Sequence, residues 1–464
     1  MEYVLGQPYG HLKSCPRTRF LKYHIIPSYV SGVTILGTPA EIYNYGSQYW
    51  LVVVGVALSC VIVATVYLPV FCTLRLSSSY ERWFFHSELN TGYSYSLKYY
   101  HLVLLHLLFN LRFSKMALIQ NVVFQGGLKA VVWTDSVQTG IMFIGVLLVA
   151  AAGTLALTFL LNPSLKIIII ISSWNLSPYE RQTGWGAVVG GTLYWTCFNS
   201  VNQTMVQRYI ALPSKRKAII ALAIFCAGAM LAISLCVWCG LAAWTAWVQG
   251  GCEEAGLPIV DDRLLPAFVT YVAQVQHLPG LAGVFLAGVF GAGLREVDLD
   301  IMHGWLRLRL RPLTEGIIAR LVTATLAIVS LLMLIVIAKL GGVLGVATAL
   351  SAIAASATCG IFTLGMCCWW VGPRGALIGG AAGSLVAGAT SLGSQAAAAA
   401  GLRAPALAVS AVCDPTTVFP LFRVSYHWIA PLGLATTLAV GAIAGWALDG
   451  KEQLRIDYLC HRLM

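Results

Sequence analysis

Apolar runs of about 20 residues, the length that crosses a bilayer as a helix, recur along this chain. They lie near 50–74, 136–161, 186–207, 217–247, 278–294, 317–341, 345–370, 374–397 and 426–448, and the stretch from about 25 to 46 reads as a first span. Such runs are apolar all round, as a helix in lipid must be. The pattern predicts an all-α polytopic membrane protein forming a single transmembrane domain over 1–464. It has a basic N-terminal stretch (1–24), an atypical segment (76–125) and a tail (449–464).

The first span carries an interruption. Residues 28–46 read SYVSGVTILGTPAEIYNYG, with Gly37 and Pro39 in the middle and Glu41 just beyond. Proline removes a donor from the helical ladder. Backbone freed at membrane depth is tolerated only against protein or a wet cavity. The sequence therefore predicts a helix broken at Gly37–Pro39, the kind of interruption that forms substrate and ion sites in secondary transporters. A Pro-kinked structural span is the plainer alternative.

Charge gives the orientation. With Met1–Lys22 cytoplasmic and the spans alternating, 23 of the 29 Lys and Arg fall inside; the exceptions are Lys166, Arg181, Arg263, Lys339, Arg403 and Arg423. This is the positive-inside asymmetry, and it puts the C-terminus in the cytoplasm. Composition agrees: 58% of residues are hydrophobic and 10% charged, with a mean hydropathy of +0.78. The net charge of +11 is spread over many loops, so it calls for no nucleic-acid partner. No cleavable signal peptide is read, because Met1–Lys22 lacks an apolar core.

The stretch 76–125 resists this scheme. Both flanks, Arg75 and Lys129, are assigned inside, so an even number of spans must lie between them. The one apolar run, His101 to Leu111, is too short to cross, which gives zero spans. His101 and His106 have no convergent Cys or carboxylate and suggest a surface segment rather than a metal site. Most of the 13 cysteines lie inside spans, where they pack as small apolar residues. That reading includes the Cys236-Val-Trp-Cys239 pair. Cys252 and Cys413, both read as external, leave a disulfide open. Asn175-Leu176-Ser177 is a weak glycan acceptor, since Pro178 follows. No nucleophile–base set, metal cluster or phosphate loop appears, so an enzyme is not predicted.

Six segments together resemble the sodium:solute symporter family, in its branch of monocarboxylate and multivitamin carriers. They are ILGTPAEIYNYGSQYW (Ile35–Trp50), GGLKAVVWTDSVQ (Gly126–Gln138), VNQTMVQRY (Val201–Tyr209), LLPAFVTYVAQVQHLPGLAGVF (Leu264–Phe285), LGGVLGVATALSAIAASATCGIFTLGMCCWW (Leu340–Trp370) and FRVSYHW (Phe422–Trp428). Their order matches the family over about 28–75 and 126–448. The resemblance implies two inverted five-helix repeats with peripheral helices, sodium as the coupling ion, and a small organic anion as substrate. It implies no other cofactor, and we expect a monomer in the plasma membrane.

Carried over by motif, the resemblance implies sodium ligation by the carbonyls of Pro27 and Val30 in the first core helix and Ala292 in the eighth. The family follows the latter with two hydroxyl residues; this chain has Arg295 and Glu296. A guanidinium there would repel sodium. Either coupling is lost, or the helix ends early and Arg295 is a loop residue, or the segment differs in the working protein. Two departures point the same way. The family's span before the first core helix has only the polar N-terminal stretch opposite it, and core helices three and four have only residues 76–125.

Candidate substrate residues are Thr34, aligned with a substrate position; Thr38, inside the expected break; Gln203, within the polar run Asn202-Gln203-Thr204 that interrupts the sixth core helix; and Thr348 and Ser351, on the tenth. Glu41, near the outer end of the first helix, is expected to serve in gating. Asp135 is expected to cap a helix start. The functional expectation is a sodium-coupled symporter of monocarboxylates or vitamins such as biotin and pantothenate. The alternatives are a non-transporting or incomplete relative, and a sodium-independent carrier.

Overall fold

The computed structural model describes residues 32–74, 140–154, 174–202, 205–206, 209, 212, 214–246, 263–286, 343–368, 370–399 and 419–448. Among the described residues all regular structure is helical. Among these residues five helices are long and apolar enough to cross a membrane: Ser47–Cys72, Lys215–Trp244, Ala347–Cys367, Pro373–Ala397 and Tyr426–Leu448. They answer to five of the runs read from the sequence. Within the expected spans at 136–161 and 186–207 the described residues hold helices at Gly140–Thr154 and Gly191–Val201, and the span at 317–341 lies outside the described residues. The chain is an integral, multi-pass membrane protein.

The first helix corrects the sequence reading. α1 (Gly32–Tyr45) runs unbroken through Pro39. Pro39 has no N–H to donate, but the helix does not open there. Packing holds the turn closed: a Cβ on Gly240 would lie 2.9 Å from the Pro39 carbonyl oxygen and 2.9 Å from Ile42 Cβ. A bare glycine on the neighbouring helix thus lets α1 press backbone to backbone at its weakest turn. α1 stops at Gly46, whose φ of 89° and ψ of 172° suit glycine alone. The Gly46 N–H still reaches the Ile42 carbonyl at 2.9 Å.

A 3-10 turn (Ser47–Leu51) leads into α2 (Val52–Ile62), a π-helical segment (Val63–Tyr67) and α3 (Leu68–Leu74). α4 (Gly140–Thr154) follows. A second π-helical segment (Gly186–Gly190) opens α5 (Gly191–Val201). α6 (Lys215–Trp244) begins at Ser214, whose side chain accepts the Lys217 N–H. Three cations in the first turn oppose the helix dipole, but they suit a helix entering the membrane from its basic side.

Between the apolar runs at 217–247 and 278–294 lies a further helix, α7 (Leu264–Val275). Its buried Leu264, Leu265, Phe268, Val269 and Val272 form one stripe. That stripe packs with α4 and with Cys236 and Cys239 of α6 in one apolar cluster. Both thiols are free and buried, so core packing explains the pair.

α8 (Val343–Cys367), α9 (Pro373–Ala399) and α10 (Ile429–Leu448) form a tight three-helix unit. Gly375, Gly379 and Gly383 of α9 face Gly441, Gly445 and Thr437 of α10. A Cβ at Gly379 would come within 2.6 Å of Gly441 Cα and of the Thr437 carbonyl oxygen. Small residues four apart let the two backbones meet, which is what associates helices in lipid, where the hydrophobic effect cannot. α8 also touches α1 and α5, and so links this unit to the helices that carry the candidate site.

Candidate functional site

Two polar regions stand out. The first is internal, along α5. This helix ends at Asn202, which leaves helical geometry with φ −58° and ψ 125°. Its carbonyl then accepts the N–H groups of Met205 and Val206, both at 2.9 Å. The interruption read from Asn202-Gln203-Thr204 is therefore real, although Gln203 itself lies outside the described residues.

One turn before the break sits Asn199, fully buried, with neither its amide nitrogen nor its amide oxygen hydrogen-bonded among the described residues. Thr196, on the same face of α5, and Thr38 of α1 are buried and likewise have no hydrogen-bond partner among the described residues. A buried polar atom without a partner costs about 1–3 kcal/mol. A carboxamide left with donors and acceptor open fits a small polar guest that offers both functions. Sequence reasoning passed over Asn199, although an Asn within an apolar helix three residues from a polar run was a usable signal.

The other expected substrate positions lie on α1 and α8 or outside the described residues. Thr34 is half-buried on α1. Thr348 is half-buried and Ser351 buried on α8, which packs against both α1 and α5; each has contacts of its own. The sodium positions Pro27, Val30 and Ala292, and the departures Arg295 and Glu296, lie outside the described residues, as do Asp135, His101, His106, Cys252 and Cys413. Below this level a knot of weaker bonds joins three helical segments. The Tyr67 hydroxyl meets Thr363 Oγ1 at 2.8 Å, and Cys359 Sγ lies 3.5 Å from both Tyr67 and Ser200.

The second region surrounds Glu41, which is 4% exposed. Arg181 grips its carboxylate in two parallel bonds, Nε to Oε1 and Nη2 to Oε2, both 2.9 Å. Gln182 Nε2 donates to Glu41 Oε1 at 2.6 Å and to the Tyr426 hydroxyl at 2.8 Å. The Tyr426 hydroxyl donates in turn to Glu41 Oε1 at 3.4 Å. With both of these bonds leaving the Gln182 amide nitrogen, its oxygen accepts from His427 Nε2 at 3.1 Å. The guanidinium also stacks 4.0 Å from the Tyr45 ring. Burial alone would lower the Arg181 pKa, but the Glu41 charge and hydrogen bonds outweigh it and hold the pKa above its usual value. Removing Arg181 would leave the buried Glu41 charge without its counter-charge, which is strongly destabilising.

Ser425 completes the clasp: its Oγ donates to the Arg181 carbonyl at 2.7 Å, and its N–H to the Pro178 carbonyl at 2.9 Å. The outer end of α1 is thereby fastened to two segments, 174–183 and 419–428, that the charge pattern also places outside. Among the described residues no group of three or more His, Cys, Asp or Glu is placed to hold a metal ion.

A buried polar region beside an interrupted apolar helix is an arrangement found in secondary transporters. Comparison with known proteins agrees. No protein-family profile matches the chain. Sodium-coupled monocarboxylate transporter 1 of Mus musculus is 30% identical over 297 residues, 59% of this chain and 48% of the relative. The Homo sapiens sodium/iodide cotransporter is 31% identical over 301 residues, 59% and 46% respectively. The sodium-dependent multivitamin transporter of Oryctolagus cuniculus is 25% identical over 490 residues, 92% and 75%. The chain thus spans about half the length of the first two relatives. In structure it resembles a Na+-coupled sialic acid symporter, with a TM-score of 0.58 at 17% identity, over 92% of this chain and 89% of that one. These likenesses bear out the resemblance to the sodium:solute symporters. The relatives are carriers, not enzymes.

Proposed function

We propose that this chain is a secondary active symporter that couples sodium entry to uptake of small organic anions, monocarboxylates or vitamins such as biotin and pantothenate, by alternating access. The observation that carries this reading is the interruption of α5 at Asn202 beside the unpartnered amide of Asn199, in a chain whose relatives are named as sodium-coupled carriers. Thr34, Thr38, Asn199, Gln203, Thr348 and Ser351 would line the substrate path. The carbonyls of Pro27, Val30 and Ala292 would hold sodium, a hard cation served by backbone oxygens freed where helices unwind. Inward movement of one sodium ion releases about 2.3 kcal/mol per 100 mV of membrane potential, which drives uptake of the anion. Glu41 would gate the outer face. The protein would work as a monomer in the plasma membrane with its C-terminus in the cytoplasm, and without core helices three and four of the family pattern.

The test is uptake of labelled lactate, nicotinate, biotin and pantothenate by cells expressing the chain, in sodium against choline medium, with surface expression checked. Sodium-dependent uptake of any one establishes the symporter. A second reading, a non-transporting relative, is favoured by Arg295 and Glu296 where the family has hydroxyls. Absence of uptake with protein at the surface would select it. Arg295→Ser separates the two further: a gain of sodium-dependent uptake places Arg295 at the ion site.

A further inference from the structure

External cations run against the charge pattern of this chain, and two of them, Arg181 and Arg423, lie on the two outer segments that meet at α1. Each is stacked on tyrosine. Arg181 Cζ is 4.0 Å from the Tyr45 ring and 5.4 Å from the Tyr426 ring; Arg423 Cζ is 5.0 Å from the Tyr179 ring. The Arg181 fork is occupied by a carboxylate, in the bidentate geometry that makes arginine the preferred reader of that group. The two partners differ in access: the Glu41 side chain is 4% exposed and that of Arg181 26%. The solvent-facing member is therefore the cation, and the carboxylate approaches it from the protein side.

Resting on the organic-anion reading above, we infer that Arg181 is an exchangeable carboxylate site at the outer entrance: the substrate's carboxylate displaces Glu41 from the Arg181 fork, and this exchange unfastens the outer end of α1. Glu41 is then both gate and internal competitor. Gln182 is the positioning residue, because its amide holds the Glu41 oxygen, the Tyr426 hydroxyl and His427 together. Release of Glu41 removes the hydrogen bonds that tie α1 to both outer segments, leaving the Arg181–Tyr45 stacking, while Arg181 stays with the incoming anion. The Tyr45 and Tyr426 rings, 4.0 and 5.4 Å from the guanidinium, suit the hydrocarbon part of a monocarboxylate rather than a bare inorganic anion.

The test is chemical rescue of the full chain in lipid nanodiscs, read as thermal stability. Glu41→Ala leaves a carboxylate-sized gap opposite Arg181. Millimolar propionate should raise its melting temperature towards that of the unmodified protein, propionamide should not, and Glu41→Ala/Arg181→Gln should not respond. If Glu41→Ala does not fold, the isosteric Glu41→Gln takes its place. Binding of labelled lactate then gives the sign: Glu41→Gln should tighten it by about tenfold, the scale of one charge-assisted hydrogen bond, and Arg181→Gln should weaken it by about as much. Arg181→Lys, which keeps the charge but not the fork, should fall between. Absence of rescue overturns the inference, as does a shift of the same sign in both single variants, which marks a plain structural strut. Rescue by propionate in a chain that binds no lactate keeps the Arg181 site and refutes the substrate reading instead.

Discussion

The α9–α10 pair and the α1–α5 region are built from similar residues and solve opposite problems. Along α9–α10 glycines meet glycines, and there is no room for one more methyl group at Gly375, Gly379 or Gly383. Along α1 and α5 the interior keeps unpartnered polar atoms at Thr38, Thr196 and Asn199, and α5 stops at Asn202. The first arrangement collects dispersion contacts that lipid tails cannot match. α9 also holds two unpartnered hydroxyls, Ser384 and Ser391, but only the second region leaves a whole carboxamide, Asn199, open and so carries the larger desolvation cost. On the reading proposed above, the first part holds shape and the second receives the substrate.

The comparison is broken most severely at the glycine pair. Gly379→Leu would drive its side chain into Gly441 and Thr437, and overpacking of this kind costs about 3 kcal/mol or more. The expected outcome is loss of monodisperse protein on gel filtration. Gly388→Leu lies on the same helix with nothing within 4 Å of its Cβ position and should leave the elution profile unchanged. If both variants behave alike, the glycines are not what joins α9 to α10.

Gly240→Ala moves the same test to α1. Its methyl group would sit 2.9 Å from the Pro39 carbonyl oxygen, and α1 must shift to admit it. We expect a loss of about 1–2 kcal/mol, seen as a lower melting temperature, and reduced uptake at normal surface expression. Uptake at the unmodified level would mean that the spacing of α1 and α6 does not matter to function.

Asn199→Leu should move stability and binding in opposite directions. Removing an orphaned amide from a buried site should stabilise the fold by about 1 kcal/mol, while affinity for the labelled anion falls by about tenfold. A melting temperature that drops together with affinity would show that the amide serves the fold, and the contrast between the two regions would lose its interior half.

Much of this was legible in the chain and some was not, for physical reasons. The long spans could be read because lipid demands about 20 apolar residues whatever the fold. The stop at Asn202 could be read because consecutive amides are costly at membrane depth. The α7 stripe, Leu264, Leu265, Phe268, Val269 and Val272, has helical spacing and was hidden only by its place between spans. The glycines of α9 and α10 recur at intervals of four in the sequence, but which helix meets which is a tertiary fact. The same holds for Arg181: an external cation can be noticed, whereas its grip on Glu41, 140 residues away, depends on the assembled fold. Pro39 was misread because a missing hydrogen bond is local, while the contact with Gly240 that closes the turn is not.

Pro39→Ala is therefore expected to have the smallest effect. The sequence alone says that removing this proline closes a functional break and lowers transport. The structure has no break there, so the substitution restores one backbone hydrogen bond to the Ile35 carbonyl and removes a ring from a helix that already follows its course. Stability should rise by about 1 kcal/mol or less, because a constraint lost from the unfolded chain offsets part of the gain. Uptake should stay within about twofold of the unmodified protein, a difference of about 0.4 kcal/mol. A deep loss of uptake at normal surface expression would mean that α1 must open at Pro39 during the cycle. The closed helix would then be one state of a hinge, and α1 would join α5 as an interrupted helix.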